Sequence, residues 1–207
     1  MDACISAISR HRIGVDGEGV TTLVVFMLCP LNCRYCLNPQ TLSLNEAHKV
    51  YTPKTLYDEL KIDNLYFMAT GGGVTFGGGE PLLNAGFIRE FRAVCGKDWK
   101  INLETSLNVP AAVLLSVLDV VDTFIIDIKD MNSIIYRSYT GKDNAQAVMN
   151  LKYLSANGYS DRCRIRVPLI PGYNTQRDVD ASVEALRAMG YEDFDLFEYK
   201  TEIHGKR

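Results

Sequence analysis

Three cysteines stand close together in the run CPLNCRYC, at Cys29, Cys33 and Cys36. Thiolates clustered in this way are ligands for iron and zinc. Three of them hold only three corners of a cubane iron-sulfur cluster, whereas such clusters ordinarily take four cysteines. One iron is then left open unless a distant residue supplies its ligand, and an open iron can bind a small molecule. A structural zinc site is the rival reading, but it wants four tetrahedral ligands, typically as two paired sets. Cys4, Cys95 and Cys163 are solitary and have no ligand-type neighbour at zinc spacing. They read as small buried hydrophobes.

Something must deliver that loop to a reactive mouth. Val20 to Leu28 (VTTLVVFML) is an apolar, β-branched run that suits a strand covered on both faces, and it ends at Cys29. Thr52-Pro53 has the form of a helix cap followed by proline at the first helical position, with Leu56, Leu60 and Ile62 as the apolar side. A strand over 73–76 leads to a helix over 84–94 that carries Phe87, Ile88, Phe91 and Val94 on one face. The alternation continues with strands over 100–103, 123–128, 163–170 and 193–199, and helices over 111–118, 145–154 and 175–189. Six strands alternating with helices predict a parallel α/β sheet. Six are too few for a closed eight-stranded barrel, so an open partial (β/α)6 barrel with a lateral gap is expected, as a single domain over 1–207.

In such barrels the reactive groups gather at the carboxyl ends of the strands. The sequence places GGGEP (77–81) after the second strand, Glu104-Thr105-Ser106 after the third, Asp127 and Lys129 near the end of the fourth, Arg166 on the fifth and Tyr199-Lys200 after the sixth. Every strand thus contributes polar groups to the mouth that holds the cysteine loop. Asp127 and Lys129 are two apart and share a face, while Arg164 and Arg166 alternate with Ile165 and Val167. Charges inside apolar strands are costly unless partnered. A structural Asp127–Lys129 ion pair and an Arg166 that only satisfies helix ends are the plainer readings. The glycine run lets backbone approach a ligand closely, and Glu80 can accept from a cationic amine.

Composition agrees with a globular fold. The 207 residues are 47% hydrophobic with a net charge of -3, which provides no broad basic surface for nucleic acid. No apolar run approaches the roughly 18 residues of a membrane span. The start, MDACISAISRHRIG, lacks the apolar centre of a signal peptide, so a reducing, cytoplasmic compartment is expected.

Taken together, the motifs resemble those of the radical S-adenosylmethionine (SAM) superfamily, and within it the glycyl radical enzyme activating enzymes of the pyruvate formate-lyase type. The likeness runs colinearly through DGEG (16–19), CPLNCRYCLNP (29–39), GGGVTFGGGEPLL (71–83), ETS (104–106), DIK (127–129) and IRVPLIPGYN (165–174). It implies the radical SAM barrel and one 4Fe-4S cluster on Cys29, Cys33 and Cys36. It implies S-adenosyl-L-methionine held by Tyr35, Gly78, Gly79, Glu80, Lys129 and Arg166, with Thr105 and Asp127 beside a monovalent cation. The implied anaerobic reaction is reductive cleavage of that cofactor to a 5'-deoxyadenosyl radical. The radical then abstracts a glycine Cα hydrogen from a partner glycyl radical enzyme, with a low-potential flavodoxin or ferredoxin as reductant.

The chain departs from the family pattern in several places. Glu104 stands where the family has aspartate, DGEGVT lacks the arginine of DGPGIR, and Tyr199-Lys200 replaces a tyrosine-histidine pair for which His204 could substitute. A peptide or small metabolite as substrate is the alternative that these departures favour. A non-catalytic iron-sulfur or zinc module is a third.

Overall fold

The computed structural model describes residues 1–199. In chain order the elements are β1 (Ala3–Ile13), β2 (Val20–Phe26), β3 (Lys49–Tyr51), α1 (Pro53–Leu60), α2 (Asn64–Thr70), β4 (Gly73–Gly78), α3 (Ala85–Cys95), β5 (Lys100–Thr105), α4 (Ala111–Leu115), β6 (Thr123–Asp127), α5 (Ser133–Thr140), α6 (Ala145–Ala156), β7 (Cys163–Leu169), α7 (Gln176–Ala188) and β8 (Phe194–Glu198). One sheet of eight strands runs β3-β1-β2-β4-β5-β6-β7-β8. From β2 to β8 every neighbour is parallel, which is the expected six-stranded open barrel.

The sequence reading missed β1 and β3, the antiparallel extension on the β2 side. The physical reason is exposure. Beyond Ile5, β1 is mostly half-buried or exposed on both faces, so it lacks the apolar signature of a covered strand. The helices α2 and α5 were missed as well. Leu65, Tyr66 and Met68 of α2 face solvent around a single buried Phe67, and α5 (SIIYRSYT) is rich in β-branched and aromatic residues that argue for strand.

The predicted cap of α1 is present. The Thr52 hydroxyl accepts from the Thr55 amide at 3.1 Å, and the Thr52 amide donates to Thr55 Oγ1 at 3.0 Å, a reciprocal capping box. Leu56 and Leu60 are buried as expected, but Ile62 is 75% exposed. The α-helix gives way at Lys61–Asp63 to a tighter 3-10 turn, which faces Ile62 outward. Val94 is likewise exposed while Phe87, Ile88 and Phe91 are buried.

Alternation along the parallel strands separates two environments. Val24, Phe26, Val74, Phe76, Ile101, Leu103, Phe124, Ile126, Ile165 and Val167 are buried in the hydrophobic core. Phe26 stacks on Phe76 at 5.2 Å, and both rings meet α3 edge-on through Phe87 and Phe91. The intervening residues turn into the lumen, and many of them are polar.

The lumen is also filled from outside the barrel strands. The β1–β2 turn folds inward, where the Asp16 carbonyl accepts from Thr75 Oγ1 and from Asn102 Nδ2. A Cβ on Gly17 would lie 2.4 Å from the Asn102 amide nitrogen, so only glycine fits at this point of the turn.

Candidate functional site

At the carboxyl end of the barrel a cavity of about 500 Å3 is lined by Cys29, Cys33 and Cys36 together with Tyr35, Gly78, Gly79, Glu80, Thr105, Asp127, Lys129 and Arg166. All eleven site residues expected from sequence therefore share one wall or another of a single space. The lining also includes Ser106, which the sequence placed at this mouth after the third strand, together with Arg12, Asp16, Asp195 and Phe197, which sequence reasoning did not place there. Asp195 was legible, because its alternation with Phe194 and Leu196 puts it on the lumen side. Lys200 and His204 lie outside the described residues.

The cysteine loop leaves β2 through Leu28, which takes a left-handed conformation (φ 69°), uncommon for a non-glycine residue. Hydrogen bonds fix this kink. Leu28 N donates to the Thr41 carbonyl at 2.6 Å, and the Leu28 carbonyl accepts from Glu80 N at 2.8 Å. Farther along, Asn32 N and Arg34 N donate to the carbonyls of Thr140 and Tyr139 at 2.9 and 3.1 Å. These are last-turn carbonyls of α5, which lack partners inside their own helix. Burial pushes the Cys29 thiol up to about 12. Burial raises Cys33 too, opposed by Lys129. Ligation needs the thiolate, so loading a metal here would release protons.

Gly79 carries the close approach that the glycine run suggested. A Cβ there would sit 2.2 Å from the Leu28 carbonyl oxygen, so the turn after β4 and the start of the cysteine loop meet through bare backbone. Glu80 follows, 1% exposed. Its Oε1 accepts from Thr105 Oγ1 at 2.6 Å and Leu82 N at 3.2 Å, and its Oε2 accepts from Ser106 N at 3.0 Å and Ser106 Oγ at 2.7 Å. Burial pushes this carboxyl up against the pull of those donors. A carboxylate has about four acceptor positions, so an incoming amine would displace one hydroxyl.

Arg166 is 13% exposed and does not serve helix ends. Its Nη1 donates to Glu104 Oε1 at 2.6 Å, Nε to Asp195 at 3.3 Å, and Nη2 to the Val15 carbonyl at 2.6 Å, with Asp16 at 3.8 Å. Arg12 also pairs with Asp16. The guanidinium thus clasps β5, β8 and the inward β1–β2 turn. Lys129 lies 3.5 Å from Asp127 and donates to Tyr199 Oη at 3.0 Å. Burial opposes its charge, but Asp127 and Tyr199 outweigh burial and hold its pKa well above the ordinary value. The structural pair anticipated for Asp127 and Lys129 is present, and it lies in the cavity wall.

The donor set fits an iron-sulfur cluster better than a single ion. Among the described residues no three His, Cys, Asp or Glu side chains converge as one ion requires. A tetrahedral zinc, with Zn–S near about 2.3 Å, would need sulfurs about 3.8 Å apart, whereas a cubane spreads its thiolates over separate irons. Three thiols on one loop beside a glycine turn and a ring of paired charges define a cofactor-dependent enzyme site on an open βα barrel.

Comparison with known proteins agrees. The Radical SAM superfamily pattern matches residues 23–186. The chain is 30% identical to the pyruvate formate-lyase 2-activating enzyme of Escherichia coli over 85% of its own length and 70% of that protein's. It is 28% identical to the choline trimethylamine-lyase activating enzyme of Oleidesulfovibrio alaskensis, over 94% and 81%. Among solved structures, a domain of a pyruvate formate-lyase-activating enzyme from Bacteroides vulgatus superposes with a TM-score of 0.55 at 26% identity, covering 63% of this chain and 83% of that one. The chain belongs to the radical SAM superfamily, among the glycyl radical enzyme activating enzymes. Membership implies a 4Fe-4S cluster and S-adenosyl-L-methionine. Among the described residues no helix is long and apolar enough to cross a membrane.

Proposed function

We propose that this chain, as one domain over residues 1–207, activates a partner glycyl radical enzyme in the cytoplasm, taking its electron from a low-potential flavodoxin or ferredoxin. The observation that carries the proposal is the convergence of Cys29, Cys33 and Cys36 with Gly78, Gly79, Glu80, Lys129 and Arg166 on one cavity at the carboxyl mouth. Cys29, Cys33 and Cys36 would hold the cluster, with Tyr35, Gly78, Gly79, Glu80, Lys129 and Arg166 around the cofactor. Bound and reduced by one electron, the cluster and cofactor supply the means to remove a hydrogen atom from a glycine Cα.

The protein's part is orientation and shielding. Gly79 lets the β4 turn lie against the cysteine loop, so a ligand is gripped from two elements at once. Lys129, held charged by Asp127 and Tyr199, offers a fixed cation to a ligand carboxylate. Arg166 anchors the floor of the mouth through Val15 and Asp16. The open side between β3 and β8, the terminal strands of the sheet, leaves room for a protein segment to enter.

The same reading does without a monovalent cation at Thr105 and Asp127. The Thr105 hydroxyl donates to Glu80 and accepts from Leu107 N at 3.0 Å, Asp127 faces Lys129, and Glu104 is taken by Arg166. Exchanging potassium for tetramethylammonium is expected to leave cofactor affinity unchanged, as equilibrium dialysis would read.

The decisive experiment combines anaerobically reconstituted protein, S-adenosyl-L-methionine, a strong reductant and a purified glycyl radical enzyme. It follows 5'-deoxyadenosine by chromatography and the glycyl radical by electron paramagnetic resonance. A glycyl signal is expected together with one 5'-deoxyadenosine per activation. Product without a radical on any such partner would refute the choice of substrate.

A further inference from the structure

Tyr139, in the last turn of α5, is 0% exposed, and its hydroxyl has no hydrogen-bond partner among the described residues. A buried hydroxyl without a partner is unusual and costs stability. The adjacent hydroxyl of Tyr199 does not relieve it. That group accepts from Lys129 at 3.0 Å and makes no hydrogen bond of normal length and angle with Tyr139.

The ring is held from all sides. Tyr35, Tyr173 and Tyr199 lie 6.1, 5.1 and 6.1 Å away between centroids, and the Tyr139 carbonyl accepts from Arg34 N at 3.1 Å. Gly141 closes the helix in a left-handed cap (φ 77°). Only the phenolic hydrogen remains free to turn. Cys33 is among the side chains packed against the cluster formed by Tyr139, Ile170 and Tyr199. Arg34, whose amide grips Tyr139, is the next residue in the chain.

We propose that the Tyr139 hydroxyl is a hydrogen-bond donor to the Cys33 thiolate in the cluster-loaded protein, and that it raises the reduction potential of the cluster. The inference rests on the assignment of Cys33 as a cluster ligand. Reduction adds negative charge that spreads onto the sulfurs, and a donor aimed at one sulfur stabilises the reduced form more than the oxidised form. A thiolate is also a stronger acceptor than the thiol it replaces. The hydroxyl is therefore unsatisfied in the apoprotein and satisfied once the cluster is in place.

The test compares wild type with Tyr139→Phe in both states. Without cluster, the variant should melt at the same temperature as wild type or higher, because an unpaired hydroxyl is removed. With a full cluster, its midpoint potential should move to a more negative value. The reduced cluster should also show one exchangeable proton coupling fewer by electron-nuclear double resonance. A lower melting temperature of the apo variant would overturn the proposal by showing that the hydroxyl is bonded within the protein. An unchanged potential and an unchanged set of couplings would overturn it too. Failure of the wild type itself to load a cluster would instead strike at the Cys33 assignment.

Discussion

The barrel has a cavity at each end, and the larger one lacks the chemistry. At the amino ends of the strands a space of about 770 Å3 is lined by Arg92, Lys100, Asp122, Arg162, Arg164 and Asp193 among others. Its arginines are settled by partners on nearby segments. Arg92 pairs with Asp122, Arg164 with Asp193 at 3.0 Å, and Arg162 donates to the carbonyls of Leu118, Val121 and Asp122. At the carboxyl end a space of about 500 Å3 gathers groups from β2, β4, β5, β6, β7 and β8, and Arg166 of β7 alone reaches β5, β8 and the inward turn. Volume is therefore a poor guide to the reactive end. Convergence of unlike groups from many strands is the better one.

The strongest way to break this contrast is at the cysteines. Cys33→Ala is expected to lose the cluster and reduce 5'-deoxyadenosine formation to background, while Cys163→Ala, at the amino end of β7 and buried, should keep a full iron content by colorimetric assay. Next come the two arginines of β7. Arg166→Ala strands carboxylates that now share one buried guanidinium and should cost about 3 kcal/mol in urea unfolding. Arg164→Ala, whose side chain is 37% exposed, should cost under about 1 kcal/mol. Equal losses at the two sites would erase the distinction between the ends.

Glu80 sharpens the comparison through pH. Burial raises its folded pKa above the ordinary 4.5, so the folded state holds that proton more tightly than the unfolded chain. Its stabilising contribution is complete below 4.5 and is lost as pH rises through the raised value. Melts of the ligand-free protein should therefore show wild type losing more stability than Glu80→Gln from pH 4.5 toward neutrality, while the variant binds S-adenosyl-L-methionine at least about tenfold more weakly, roughly 1.4 kcal/mol. A smaller effect is due away from both ends. Thr52→Ala removes the α1 capping box and should cost about 1 kcal/mol without altering iron content.

What the sequence revealed follows from where physical constraint is concentrated. The six parallel strands were legible because burial on both faces forces continuous apolar runs, as in VTTLVVF and TFIID. The cap of α1 was legible because Thr52-Pro53 has few other uses. The mouth was legible because Glu80, Asp127, Lys129 and Arg166 are charges in places that otherwise demand apolar residues. β1 and β3 escaped because an edge ribbon with two partly solvated faces imposes no such demand. Asp16 was visible within DGEG, yet its position in the lumen depends on a turn folding back through Thr75 and Asn102, two contacts of long sequence separation. Tyr139 was illegible for the same reason, since its isolation exists only once four tyrosines from separate segments are packed together.

The inward β1–β2 turn has a consequence for how such a site can change. The bottom of the reaction chamber is supplied by a short insert that belongs to no barrel strand, while the walls come from the strands themselves. Depth and wall chemistry are thus written in separate stretches of chain. Substitutions of the Val15 side chain, which lines the cavity while only its backbone carbonyl holds Arg166, can deepen or raise the chamber and leave the cysteine loop and the charged rim in register, so substrate reach can drift in this protein without its radical chemistry having to be rebuilt.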